Sequence, residues 1–158
     1  MMSNHNFHGT GLVYGGVGIL IRGPSGAGKS LLALSLIDFA HFSNTEAALV
    51  SDDQIYLSIK DQKLIMRAPP AIKGKIELYG RGILNRAAVS DALVDLVIDI
   101  ESKIVRMPDP GQLTIEILSI KLPRCPVANT RIIGLTHQRM IALDAIETVR
   151  LELGRLEK

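Results

Sequence analysis

The sequence predicts a mixed α/β domain: a phosphate-binding loop in a mixed sheet with hairpins and C-terminal helices. Three observations carry this. Gly23-Pro24-Ser25-Gly26-Ala27-Gly28-Lys29-Ser30 is a complete G-x-x-x-x-G-K-[ST] loop. It lies between an apolar β-type run, Val17 to Arg22, and a helix-forming run, Leu31 to Ile37, which is the strand–turn–helix context the motif requires. The remaining apolar runs are short and separated by turn residues more often than by helices, unlike the strict alternation of a doubly wound sheet. That order disfavours an ordinary small nucleotide kinase.

The elements follow in turn. Gly11 to Tyr14 and Val17 to Arg22 flank Gly15-Gly16, a hairpin signal. The helix opened by the loop is expected to end near Ala40. Ala47 to Ser51 reads as a short buried strand, expected beside the loop strand, and runs into Asp52-Asp53. Ile55 to Ile59 and Leu64 to Arg67 flank Lys60 to Lys63 and predict a second hairpin. Ala68-Pro69-Pro70 breaks the pattern. Ile76 to Ile83 reads as a strand entering a glycine-rich turn, and Leu93 to Ile100 as one further strand. Thr114 to Leu118 is another, with Glu116 facing away from Ile115 and Ile117. The C-terminal third reads as helical, with Ala142, Ile146, Val149, Leu153 and Leu156 on one face.

Composition narrows the function. The chain of 158 residues is long enough for one domain with a real core. An apolar content of 47% argues against disorder. The net charge of +2 offers no polybasic face for nucleic acid or anionic lipid. Trp is absent, which disfavours base-stacking platforms. Cys125 is the only cysteine, so an intrachain disulfide is impossible, as suits a reducing cytosol. No run approaches the ~18 apolar residues of a membrane span. The polar start, Met1 to Asn6, is unlike a signal peptide. A soluble, cytoplasmic domain is the expectation.

The loop glycines allow several N–H groups to point at one anion, and the following helix adds partial positive charge. Lys29 is expected on the β- and γ-phosphates, and the Ser30 hydroxyl on Mg²⁺. Asp52-Asp53 closes its strand at the expected γ-phosphate end. One carboxylate there can address the metal or its waters while the other meets an attacking hydroxyl; the plainer reading is a turn or helix cap. Glu77, before Gly80-Arg81-Gly82, is a candidate metal ligand or an ordinary outward strand residue. His8 and Arg106 are weaker candidates, since most surface histidines and arginines are simply solvated.

Taken in order, His8-Gly9-Thr10, Gly23 to Ser30, Val50 to Asp53, Ile76 to Ile83 and Val105 to Pro108 resemble the catalytic domain of HPr kinase/phosphorylase. The resemblance covers about residues 8–135, and the chain looks like the short, catalytic-domain-only form found in α-proteobacteria. It implies a P-loop core like the nucleotide-binding domain of phosphoenolpyruvate carboxykinase. It also implies ATP, Mg²⁺ and a seryl hydroxyl on a small HPr-like phosphocarrier protein of the phosphotransferase system. By position, Lys29 would hold phosphate and Ser30 would ligate Mg²⁺. Asp53 would be the base that accepts the serine proton, with Asp52 the other candidate. Glu77 would be the second metal ligand, His8 the N-terminal active-site histidine and Arg106 the catalytic arginine. The family's hexamers imply a homo-oligomer.

Two stretches depart from the family pattern. Tyr79 stands where the signature has arginine, and Arg81 follows two residues later; two strand positions so spaced share a face, though the glycines between leave open whether Arg81 substitutes. Pro126 to Arg131 has lost one arginine and the glycine of a stretch linked to dephosphorylation. Kinase activity without robust phosphorylase activity is therefore expected. Two rival readings stand beside it: a P-loop kinase with another acceptor, and a nucleotide-sensing module without turnover.

Overall fold

A computed structural model describes residues 3–156, with side chains through Arg155. The first three strands are β1 (His5–His8), β2 (Thr10–Tyr14) and β3 (Val17–Arg22), followed by helix α1 (Lys29–Phe42). Then come β4 (Ala47–Ser51), β5 (Gln54–Lys60), β6 (Lys63–Arg67), β7 (Lys75–Leu78), β8 (Gly82–Asn85) and β9 (Asp91–Leu93). β10 (Leu96–Glu101), β11 (Thr114–Ile117), β12 (Ile120–Ala128) and helix α2 (Leu135–Leu156) complete the order.

A six-stranded mixed sheet, in the order β11-β12-β10-β3-β2-β4, forms the middle layer. β3, β10 and β12 are parallel, whereas β2 runs antiparallel to both β3 and β4. β4 thus runs in the same direction as the loop strand but with β2 between them, not beside it as the sequence suggests. The β2–β3 hairpin, closed by Gly15 and Gly16 at φ 54° and 83°, takes the neighbouring place first.

Strand alternation divides two cores. Ile19, Ile21, Ile98 and Val127 point to the helix layer, where Leu32, Ala33, Leu36 and Ala40 of α1 are fully buried. Ala142, Ile146 and Val149 of α2 join them, with Leu153 half-buried; the side chain of Leu156 lies outside the described residues. Leu20, Val50, Val97 and Leu122 point the other way, against Ile55, Leu57, Leu64 and Met66 of an antiparallel sheet ordered β1-β5-β6-β9. Each fully buried Leu or Ile contributes about 1.5–3 kcal/mol relative to exposure, so both faces of the central sheet are committed.

Two expectations need correction, and one point left open is decided. Leu93 to Ile100 is two strands, not one. Val94 and Asp95 break it: Asp95 exchanges backbone contact with Gly18, and its Oδ2 accepts from the Gly18 N–H at 2.8 Å. This junction carries the chain from the outer sheet to the central one. The C-terminal third is helical only from Leu135; before that lie β11 and β12. β12 is the longest strand and escapes notice in the sequence because Pro123 and Pro126 interrupt its donors. Finally, Tyr79 and Arg81 do not share a strand face. They sit on the turn joining β7 to β8, where Arg81 N–H donates to Leu78 O at 3.0 Å and Gly80 has φ 88°. Tyr79 is 85% exposed.

Candidate active site

β3 delivers the chain to Gly23, where a Cβ would press within 3.2 Å of Ile100 and 3.3 Å of Ala27. Gly26 and Gly28 adopt φ 79° and 97°, a region that favours glycine, and open space surrounds both. Gly28 caps α1 without a side-chain hydrogen bond, and no acidic residue occupies the first turn. The positive end of a 14-residue helix is therefore available to an anion.

Lys29 begins α1 and is only 6% exposed. Its Nζ donates to the carbonyls of Gly23 and Pro24, each at 3.0 Å. Burial pulls its pKa below the ordinary lysine value, and the carboxylates of Asp53 and Asp52 offset this only in part.

Asp52 ties three elements together. Its Oδ1 accepts from Thr10 Oγ1 on β2 at 3.0 Å and from Ser30 Oγ on α1 at 2.6 Å. Its Oδ2 accepts from the Glu77 backbone N–H on β7 at 3.2 Å. Asp52 is 8% exposed, whereas the side chain of Asp53 is 70% exposed. The two neighbours diverge because the chain turns sharply there: Asp53 has φ 69°, and Gln54 N–H donates to Asp52 O at 2.8 Å. His8 Nε2 donates to Asp53 Oδ1 at 2.6 Å, and Gly9 N–H fixes the Asp53 carbonyl at 3.0 Å.

The structure thus brings together Lys29, Ser30, Asp52, Asp53 and His8, with Glu77 joined through its backbone and its carboxylate exposed. Arg106 is not brought in. It lies exposed on the segment between β10 and β11, with no hydrogen bond or ion pair among the described residues. A groove of about 680 Å³ lined by Ile37, His41, Glu46, Arg86 and Val89 lies at the other end of α1, and none of the expected site residues line it. Among the described residues no group of three or more His, Cys, Asp or Glu converges on one point. The oxygen donors that do converge are Ser30 Oγ and Asp52 Oδ1. A Mg²⁺ ion typically takes one or two protein oxygens and fills its shell with phosphates and waters, so this pair fits a metal carried by a nucleotide.

Sequence reasoning missed the charged cluster formed by Arg22 at the end of β3, Asp99 and Glu101 in the second half of β10, and Arg124 in the middle of β12. Asp99 Oδ1 and Oδ2 accept from Arg22 Nε and Nη2 at 2.8 and 2.9 Å. Asp99 Oδ2 also accepts from Arg124 Nε at 2.5 Å, and Arg124 reaches Glu101 Oε1 at 2.5 Å. Burial would raise the Asp99 carboxyl, but the hydrogen bonds and charges of Arg22 and Arg124 outweigh it and hold the pKa below the ordinary value. The available signal was one charged residue in each of two otherwise apolar runs, Arg22 closing Val17 to Arg22 and Asp99 inside Leu96 to Ile100.

The family model described as HPr Serine kinase C-terminal domain matches residues 1–108. The HPr kinase/phosphorylase of Aromatoleum aromaticum is 36% identical over 141 residues, 80% of this chain and 43% of that protein. That of Streptococcus mutans is 30% identical over 171 aligned positions, 94% of this chain and 53% of that protein. The chain spans about half or less of the length of these relatives. The solved structure of the Hpr(Ser) kinase/phosphatase from Coxiella burnetii superposes with a TM-score of 0.75 at 28% identity, covering 95% of this chain and 99% of that one.

Proposed function

The chain belongs to the HPr serine kinase C-terminal domain family, and from that premise we propose that it transfers the γ-phosphoryl group of ATP to a seryl hydroxyl of an HPr-like phosphocarrier protein. The observation that carries this reading is the division of labour between adjacent carboxylates. Asp52 is buried against Ser30 of the phosphate loop, and Asp53 is exposed and held by His8.

Phosphoryl transfer asks a protein mainly for position and charge. In this reading the amides of Gly26 to Ser30 bind the phosphates. Lys29 Nζ leaves the Gly23 and Pro24 carbonyls for the phosphate oxygens, a small motion for a side chain already aimed along the loop. Ser30 and Asp52, with Glu77 the further candidate, would hold a Mg²⁺ ion carried by the nucleotide, which would supply neutralisation of phosphate charge. Asp53 orients the acceptor hydroxyl and takes its proton as the serine oxygen bonds phosphorus and the β–γ bridging oxygen departs with ADP. His8 fixes the Asp53 carboxylate. Arg106 is an exposed side chain free to meet phosphate or acceptor once they bind. Reverse transfer to inorganic phosphate is expected to be weak. The stretch linked to it retains one guanidinium, Arg131, on the turn where Asn129 Oδ1 accepts from the Arg131 N–H at 3.1 Å.

The reading extends to a homo-oligomer working in the cytoplasm. No helix among the described residues is long and apolar enough to cross a membrane. A nucleotide-sensing module without turnover is the second reading, favoured by the exposure of Tyr79 where the family signature carries arginine.

The test is transfer of ³²P from γ-labelled ATP, with Mg²⁺, to purified phosphocarrier proteins, with Lys29→Ala and Asp53→Asn alongside. Label on serine, lost in Lys29→Ala and reduced about 10²–10⁴-fold in Asp53→Asn at unchanged ATP affinity, supports the kinase. Tight ATP binding without label on any carrier favours the sensing module. Robust pyrophosphate release from phosphoseryl carrier and phosphate would overturn the expectation of weak phosphorylase activity.

A further inference from the structure

We propose that Arg22 is a positioning residue for the phosphate loop, clamped to the neighbouring strand by a two-pronged bond to Asp99. The inference rests on the reading of that loop as the nucleotide site, and its first test is independent of it. Arg22 is the last residue of β3, and Gly23, whose carbonyl receives Lys29 Nζ, is the next. Asp99 stands opposite Arg22 in the parallel register of β3 and β10. A planar guanidinium and a carboxylate joined through two near-parallel bonds hold one another in direction as well as distance. Arg124 anchors Asp99 from the far side and is itself tied to Glu101 and to the Gln112 carbonyl at 2.9 Å. The cluster therefore runs from β12 through β10 to the residue from which the loop departs.

Its location gives it a use beyond stability. Arg22 and Asp99 alternate with the inward residues Ile21 and Ile98, so they lie on the face of the central sheet away from α1. The loop is braced by α1 on one side and, through Arg22, by β10 on the other. Gly26 and Gly28 carry no side chains that pack the loop in place, and open space surrounds both. Beyond the Lys29 Nζ bonds to the Gly23 and Pro24 carbonyls and the Ala27 N–H bond to Pro24 O, the orientation of the amides comes from the loop's two ends. Lys29 and α1 fix one end, and Arg22 fixes the other. Misplacing catalytic groups by about 1 Å costs on the order of 10²-fold in rate, so a loosened exit strand should be visible in turnover.

Arg22→Met is the informative variant, because Asp99 keeps Arg124 as a partner and is not left as an unpaired buried charge. Removing Asp99 instead would strand two arginines and risk unfolding. Arg22→Lys keeps the charge but cannot make the two-pronged bond. Arg86→Met is the control: it breaks the Arg86–Asp38 pair at 3.4 Å on a half-buried arginine remote from the loop.

Amide hydrogen exchange over residues 23–30 in nucleotide-free protein is measured first. Exchange is expected to be about 10-fold faster in Arg22→Met, intermediate in Arg22→Lys and unchanged in Arg86→Met. With MgATP and a phosphocarrier acceptor, kcat is expected to fall about 10-fold or more in Arg22→Met, with the KM for acceptor unchanged. Exchange in Arg22→Met equal to wild type, or accelerated equally in Arg86→Met, overturns the proposal whatever the function of the loop. Faster exchange in a protein whose wild type binds no MgATP leaves the clamp standing and removes the nucleotide reading. Faster exchange with wild-type kcat and KM shows that Arg22 serves stability alone, which also overturns the proposal.

Discussion

Replacing Asp52 by alanine takes the acceptor away from three donors at once. The Thr10 hydroxyl is fully buried and has no other partner among the described residues. Leaving it unsatisfied costs about 1–3 kcal/mol. The Ser30 hydroxyl and the Glu77 N–H are nearer the surface, so water takes over and only the net worth of each bond is lost, about 0.5–1.5 kcal/mol apiece. The sum is about 4 kcal/mol, the middle of a range of about 2–6, which for a chain of this length lowers Tm by about 8–16 °C. Urea unfolding followed by far-UV circular dichroism, with calorimetry for Tm, reads this directly. The reasoning makes a second demand. Thr10→Val in the Asp52→Ala background removes the orphaned hydroxyl, so the double variant should be more stable than the sum of the singles by about 1 kcal/mol or more. A loss below about 1 kcal/mol for Asp52→Ala, or strict additivity in the double variant, would refute the view that Asp52 joins β2, α1 and β7.

Two further outcomes concern the junction at Gly18. A Cβ there would lie 1.7 Å from the Leu93 carbonyl oxygen, a backbone atom with nowhere to go. Gly18→Ala should therefore abolish or severely weaken folding. At Gly11 a Cβ would lie 2.6 Å from Ile55 Cδ1, 2.8 Å from Met66 Sδ and 3.4 Å from Val50 Cβ, side-chain atoms and not backbone, so Gly11→Ala should still fold, at an overpacking cost of about 1–3 kcal/mol. Asp95 carries a carboxyl that burial pushes above its ordinary 3.8, with the Gly18 N–H and the charge of Lys63 opposing. A raised folded-state pKa favours folding below 3.8 and loses that contribution as pH climbs through the folded value. Asp95→Asn keeps an oxygen for the Gly18 N–H and sheds the buried charge. Its Tm should exceed that of the wild type at pH 7, with the gap closing toward pH 3; a variant less stable at pH 7 would show that the ionised form is favoured.

The central features were legible in the sequence because they are local. The phosphate loop, its strand and its helix lie within a few residues of each other, and both predicted hairpins carry their turns between alternating strands. The hairpin of β5 and β6 turns at Asp61-Gln62, with φ 53° and 61°, as the polar pair suggests. What escaped was either masked locally or distant. The turn between β11 and β12 falls on Leu118-Ser119, at φ 49° and 67°, where Ser119 alone is a turn residue and an apolar leucine takes the first left-handed position. β12 was hidden by its prolines. The placement of β4 one strand away from β3 depends on β2 competing for the same edge, which no window along the chain displays. At the site, the convergence of Ser30 with Asp52 followed from motif order, but Thr10 as the third member did not. Nor did Arg22 with Asp99, since opposite charges on parallel strands announce a pair only when the register is known.

The register also dictates when the loop acquires its support. Ile19 of β3 pairs with Leu96, and Glu101 of β10 pairs with Ala128, so the strand beneath the loop waits for distant partners. Pairings of such long range slow folding, because the chain between must be ordered first. During synthesis at about 5–20 residues per second, Gly23 to Ser30 emerges some 5–20 s before β12 does. The nascent chain carries its glycine-rich loop for that interval with no finished sheet to hold it. The family model ends at residue 108, yet β12 and α2, which complete the sheet and the helix-side core, lie beyond it. The stretch that the family model matches is thus shorter than the stretch whose packing supports the loop.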